Sequence, residues 1–205
     1  MTLSLHDALK TSYKNKDEQK IDMSKYGYTR DDDLSNHNHQ VYHNQADNKL
    51  LFSVTGSHNK HDVGTDAYLG LGLLKSTNRY KDADHTLKES KKKYNIDHAT
   101  VIGHSLGSSV GRNISGNNDK FIGLDGGYTI GEKVRNNGTN YKTKGDVVSL
   151  FGKKQTVLQN KNENKYKKLG SYIGLGAFGG LIDNYKAHDI DNIKNESIFI
   201  WTFIY

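Results

Sequence analysis

The sequence has no cysteine. That absence removes disulfide scaffolds, thiolate zinc sites and cysteine nucleophiles together. Proline is missing too, where a chain of 205 residues ordinarily carries on the order of ten. Lysine and asparagine are abundant instead, a composition that a coding bias toward A/T-rich codons would produce. Arginine is scarce: only Arg30, Arg79, Arg112 and Arg135 stand among 29 basic residues, against 23 acidic ones and a formal charge of +6. Proteins that grip phosphates or base edges lean on arginine forks. A lysine excess spread along the chain reads as a solvated surface, and no nucleic-acid partner is expected. Apolar residues make up 34%, short of the usual ~45–50% that includes glycine, so the core is thin. No run of 18 apolar residues is present, so no transmembrane helix is expected. The first twenty residues have no apolar stretch of the signal-peptide kind, which predicts an intracellular protein.

The length suits one domain over 1–205, with 1–40 an N-terminal helix and polar segment and 41–205 the core of the domain. Residues 3–13 read as a helix with Leu5, Ala8, Leu9 and Ser12 on one face. Residues 14–40 are polar and read as loop. Residues 40–43 and 49–55 read as strands joined by a turn at 45–48, and 62–75 as a loop entering a helix. The clearest helix is 78–94, with Tyr80, Ala83, Leu87 and Tyr94 on one face and the lysines outward. Strands are expected at 99–102, 120–124, 146–151, 155–158 and 198–205, with a helix over 106–115. Strands alternating with helices indicate an α/β fold around a mainly parallel sheet with flanking helices.

The chemistry concentrates in ATVIGHSLGSSVG, residues 99–111. Gly103-His104-Ser105-Leu106-Gly107 has the pattern G-x-S-x-G, with a strand before it and a small-residue helix after it. A strained strand-to-helix turn lifts the serine hydroxyl above the sheet. Flanking glycines let neighbouring backbone pass close, and the helix N-terminus faces a developing oxyanion with amides and a positive dipole end.

A serine hydroxyl needs a base within hydrogen-bond reach and an acid to orient that base. In this topology the chain order is Ser, Asp or Glu, then His. Of ten histidines only His188 follows Ser105. The acids between them are Asp119, Asp125, Glu132, Asp146, Glu163 and Asp183, of which Asp125 and Asp146 sit at plausible strand ends.

Five segments within residues 48–192 resemble the class 3 lipase family of α/β hydrolases. GHSLG matches the family's nucleophile motif, and KKKYNIDHATVI matches the helix and strand before it. LLFSVTGSHNKHDVGTD is similar to the oxyanion loop, GDVVSLFG to the segment with the triad acid, and NYKAHDIDNI to the late histidine segment. The resemblance implies a serine ester hydrolase, a lipase or phospholipase, with a single α/β-hydrolase domain and no cofactor. Its catalytic residues would be Ser105, Asp146 and His188, and its oxyanion donors would lie at Ser57 and Leu106. The family's proline-containing turn is replaced by GLDGGYTIGEKV, which keeps Asp125 as a rival acid, and the short intervals imply trimmed loops. His37, His39 and His43 lack carboxylate or thiolate partners at orderly spacing, so no metal site is assigned there. The alternative is a non-catalytic module that keeps the fold and binds through its basic surface.

The expected partners are a lipid or other ester and, peripherally, an anionic membrane. Residues 170–182, GSYIGLGAFGGLI, form an apolar, glycine-rich stretch just before His188. The stretch reads either as a buried core segment or as a flap beside the site. Burying one large apolar side chain is worth roughly 1.5–3 kcal/mol, so in the second reading Phe178 and Leu181 would anchor it on lipid. The nearby Lys165, Lys167, Lys168 and Lys186 would add salt-sensitive attraction. Phe178→Ser combined with Leu181→Ser should reduce liposome binding and activity on aggregated lipid while sparing a soluble ester. Equal loss of both activities, or unfolding, would make the stretch core.

Overall fold

The computed structural model describes residues 1–57, 72, 74–128, 138–144, 146, 155–158, 189–192, 198 and 200. Helix α1, Leu5–Ser12, starts at Ser4, whose hydroxyl accepts from the Asp7 amide, and it buries the expected Leu5, Ala8, Leu9 and Ser12. Segment 14–40, expected as loop, holds a second helix, α2, Lys16–Ser24, and a short strand, β1, Thr29–Arg30. A capping box starts α2: Asn15 accepts from the Asp17 and Glu18 amides, and Glu18 accepts from the Asn15 amide. The helix buries only Gln19 and Met23, too few residues to show an apolar stripe. The Asp32 carboxylate meets Lys16, Lys20 and Arg30, which hold it well below the ordinary carboxylate range and tie α2 to β1.

The remaining strands are β2, His39–Asn44, β3, Lys49–Val54, β4, Thr100–His104, β5, Lys120–Leu124, β6, Gly138–Thr143, and β7, Gln155–Leu158. They form one sheet in chain order, antiparallel from β1 to β3 and parallel from β3 to β7. The β2–β3 turn lies at 45–48 as expected, closed by Asn48 at φ 49°. Helix α3, Asn78–Tyr94, links β3 to β4, and helix α4, Leu106–Ile114, links β4 to β5. Among the described residues the fold is therefore a mixed α/β, mostly parallel sheet with four α-helices. No helix among them is long and apolar enough to cross a membrane.

Alternation along the central strands makes two cores. Tyr42, Leu51, Ile102, Ile122 and Leu124 pack under α1 and α2 through Leu5, Leu9 and Met23. Val41, Phe52, Val101 and Phe121 pack under α3 and α4 through Ala83, Leu87 and Val110. Of the run expected as a last strand, residues 198 and 200 meet the N-terminus: Leu5 N–H donates to Ile198 O and Ile200 N–H to Leu3 O. Residues 199 and 201–205 lie outside the described part, as do most of 62–75 and all of 170–182. Of the strand expected at 146–151, Asp146 is not in a strand and 147–151 lie outside the described residues. A strand that was not expected is β6. Its sequence, GTNYKT, has little apolar signal because hydrogen bonds to β5 and β7 on its two sides define it.

His39 is stacked on Phe52 with ring centroids 5.2 Å apart. Burial lowers its imidazole to about 4 from 6.5, against the opposing pull of the Asp82 carboxylate. The unfolded chain therefore takes up this proton first, and stability from this group is complete above pH 6.5 and lost as pH falls toward about 4. The loss amounts to about 3 kcal/mol. Urea unfolding across that window should show this slope in the wild type, and His39→Gln should flatten it.

Candidate functional site

Strand β4 ends at His104, and Ser105 turns the chain into α4 with φ 57° and ψ −128°. That conformation costs a residue with a Cβ about 1–3 kcal/mol unless its surroundings impose it. Here Ser105 N–H donates to Leu124 O on β5 at 2.9 Å, and Ser105 O accepts from the Ser108 and Ser109 amides. The two motif glycines answer to close approach. A Cβ on Gly107 would strike the Val54 and Thr55 carbonyls, and one on Gly103 would strike the Gly107 carbonyl. Helix α4 thus rests against the end of β3 and aims its positive dipole end at the serine.

Thr55, Gly56 and Ser57 follow β3 directly beside this turn. A Cβ built on Gly56 would lie 3.0 Å from the Ser105 Cβ, so this loop abuts the candidate nucleophile. The loop is held from three sides. Thr55 N–H donates to Asn38 O, Arg79 Nη2 donates to the Thr55 and Gly56 carbonyls, and Gly56 N–H donates to the Tyr13 hydroxyl at 2.6 Å. Ser57 and Leu106, expected near the oxyanion, therefore flank Ser105 from the β3 and α4 sides. Tyr13 was not expected here. A tyrosine at the end of a short amphipathic helix carries no sequence signal for a partner 91 residues away.

The acids separate by position. Asp119 is at the opposite edge, where it accepts from the Ala99 and Gly116 amides and pairs with Lys91. Asp125 follows β5 and Asp146 follows β6, both at carboxyl ends of parallel strands, the end that carries Ser105. Asp125 has φ 50° and is fully buried. Its Oδ1 accepts from Thr143 N–H at 2.6 Å and its Oδ2 from Thr143 Oγ1 at 2.7 Å. The segment after it is pinned to α4, since Ser109 Oγ and Arg112 Nη2 both donate to Gly127 O. Asp146 is also buried, and its amide donates to Thr143 O at 3.0 Å. Thr143 therefore links the two carboxylate-bearing turns. His188, Glu132, Glu163 and Asp183 lie outside the described residues. Of the other histidines singled out, His43 stacks on Tyr94 at 4.0 Å and His39 on Phe52.

No family model matches the chain, and no curated protein matches it. Among solved structures, the Lip2 lipase from Yarrowia lipolytica is similar with a TM-score of 0.38 and 15% identity. The match covers 62% of this chain and 62% of the lipase chain.

The double contact of Asp125 with Thr143 makes a measurable demand on stability. Thr143→Val removes the hydroxyl donor to a buried carboxylate and should cost about 2 kcal/mol. In a urea double-mutant cycle, Thr143→Val and Asp125→Ala should be clearly non-additive.

Proposed function

We propose that this chain is a serine hydrolase that cleaves carboxylic esters, with lipids as the substrate class. The observation that carries the reading is the left-handed Ser105 at the β4–α4 junction, abutted by the Gly56–Ser57 loop. A strained serine between a strand and a helix is the arrangement that a nucleophile elbow requires. In the proposed reaction His188 takes the proton from Ser105 Oγ as it attacks the ester carbonyl. Asp146 holds the His188 tautomer and stabilises the imidazolium. Amides at Ser57 and Leu106 bind the oxyanion, His188 returns the proton to the leaving alcohol, and water repeats the sequence on the acyl-enzyme. The choice of Asp146 over Asp125 rests on the resemblance of GDVVSLFG to the family's segment with the triad acid. The lipid substrate rests on the resemblance of GHSLG and its flanking segments to the class 3 lipases and on the apolar stretch 170–182.

A fluorophosphonate probe tests the reading. The wild type should label at Ser105 and hydrolyse a short-chain nitrophenyl ester. Ser105→Ala should lose the label and about 10⁶ in rate while keeping its melting temperature. Asp146→Asn should lose about 10⁴ in kcat, as an orienting acid does, and Asp125→Asn far less. A folded wild type that takes no label and turns over no ester would leave the non-catalytic module as the better reading.

A further inference from the structure

Beyond the triad, the geometry points to Tyr13 as a positioning residue for the nucleophile, one that clamps the Gly56–Ser57 loop to the elbow through His104. The inference rests on the hydrolase reading of Ser105. Tyr13 caps the C-terminus of α1, and its phenol reaches between the ends of β3 and β4. The hydroxyl oxygen accepts from Gly56 N–H at 2.6 Å and lies 2.9 Å from His104 Nδ1. The ring stands edge-on to the imidazole, with centroids 5.9 Å apart and planes at 72°.

A phenol has one proton to give and can also accept. Gly56 N–H donates into the oxygen, and the Tyr13 hydroxyl and His104 Nδ1 share a second hydrogen bond whose direction follows the imidazole tautomer. One side chain then fixes the last residue before the nucleophile and the residue before the expected oxyanion donor. Because Gly56 N–H is directed at Tyr13, the Gly56 amide is not the loop's oxyanion donor. Arg79 grips the Thr55 and Gly56 carbonyls, so the peptide is held at both its acceptor and donor groups. The need for such a clamp follows from catalysis, since oxyanion donors act only when already aimed at the developing charge.

Tyr13→Phe in the full chain keeps the ring and deletes the hydroxyl. A displaced loop should lower kcat on a short-chain nitrophenyl ester by about ten- to a hundredfold with KM nearly unchanged. Fluorophosphonate labelling should slow in parallel while the melting temperature shifts by only a few degrees. ¹⁵N NMR of the wild type should find His104 in one fixed tautomer, and the variant should lose that fixed tautomer. A residue that merely packs would move the melting temperature and leave the tautomer and kcat alone. Wild-type labelling together with unchanged kcat in Tyr13→Phe overturns the clamp and leaves the hydrolase reading standing. An unlabelled, inactive wild type overturns both. Should Tyr13→Phe not fold, the wild type decides: a single fixed His104 tautomer supports the clamp and a mixture of tautomers overturns it.

Discussion

Ser105 keeps φ 57° and ψ −128°, and a residue with a Cβ holds that conformation only where its neighbours leave it no cheaper one. Those neighbours are identifiable. The Ser105 amide is drawn to β5 through Leu124 O, and its carbonyl is taken by the first turn of α4. Gly107 lets the helix settle on the Val54 and Thr55 carbonyls, where any side chain would hold it off the sheet. Strands β3, β4 and β5 therefore have to be in register before the serine can be strained, and the strain is maintained by the parallel sheet as a whole.

The same register brings the rest of the site to one edge. In a parallel sheet all carboxyl ends face the same way, so the loops after β3, β4, β5 and β6 converge without further design. Gly56, Ser105, Asp125 and Asp146 each follow one of those ends. Buried polar groups along this edge have to be paired, because an unpaired buried donor or acceptor costs about 1–3 kcal/mol. Arg79 on the loop carbonyls and Thr143 on the Asp125 carboxylate meet that requirement.

Two carboxylates one strand apart illustrate how environment separates chemically equal groups. Asp125 accepts both a backbone and a hydroxyl proton from one threonine, an arrangement that closes β5 against β6. Asp146 begins the next turn and hangs from the same threonine by its amide, which leaves its position defined without using its carboxylate in that contact. Burial is common to both; Thr143 meets the carboxylate of Asp125 and the amide of Asp146.

Local rules sufficed for much of this. The G-x-S-x-G pattern between a strand and a small-residue helix, the apolar faces of α1 and α3, and the turn at 45–48 all depend on residues within a few positions of one another. Helix α2 was hidden because its evidence is a cap with almost no apolar stripe, and β6 because its polar residues are strand only by virtue of the strands beside them. Tyr13 beside Gly56 and His104, Arg79 on the loop carbonyls, and Thr143 between two aspartates were beyond any sequence pattern. Apart from the local bond between Thr143 and Asp146, each is a contact between residues 18 to 91 positions apart. Sequence determines which chemical groups are available and what local structure they favour. Which groups meet is decided when the sheet closes, because only then do buried donors and acceptors have to find one another.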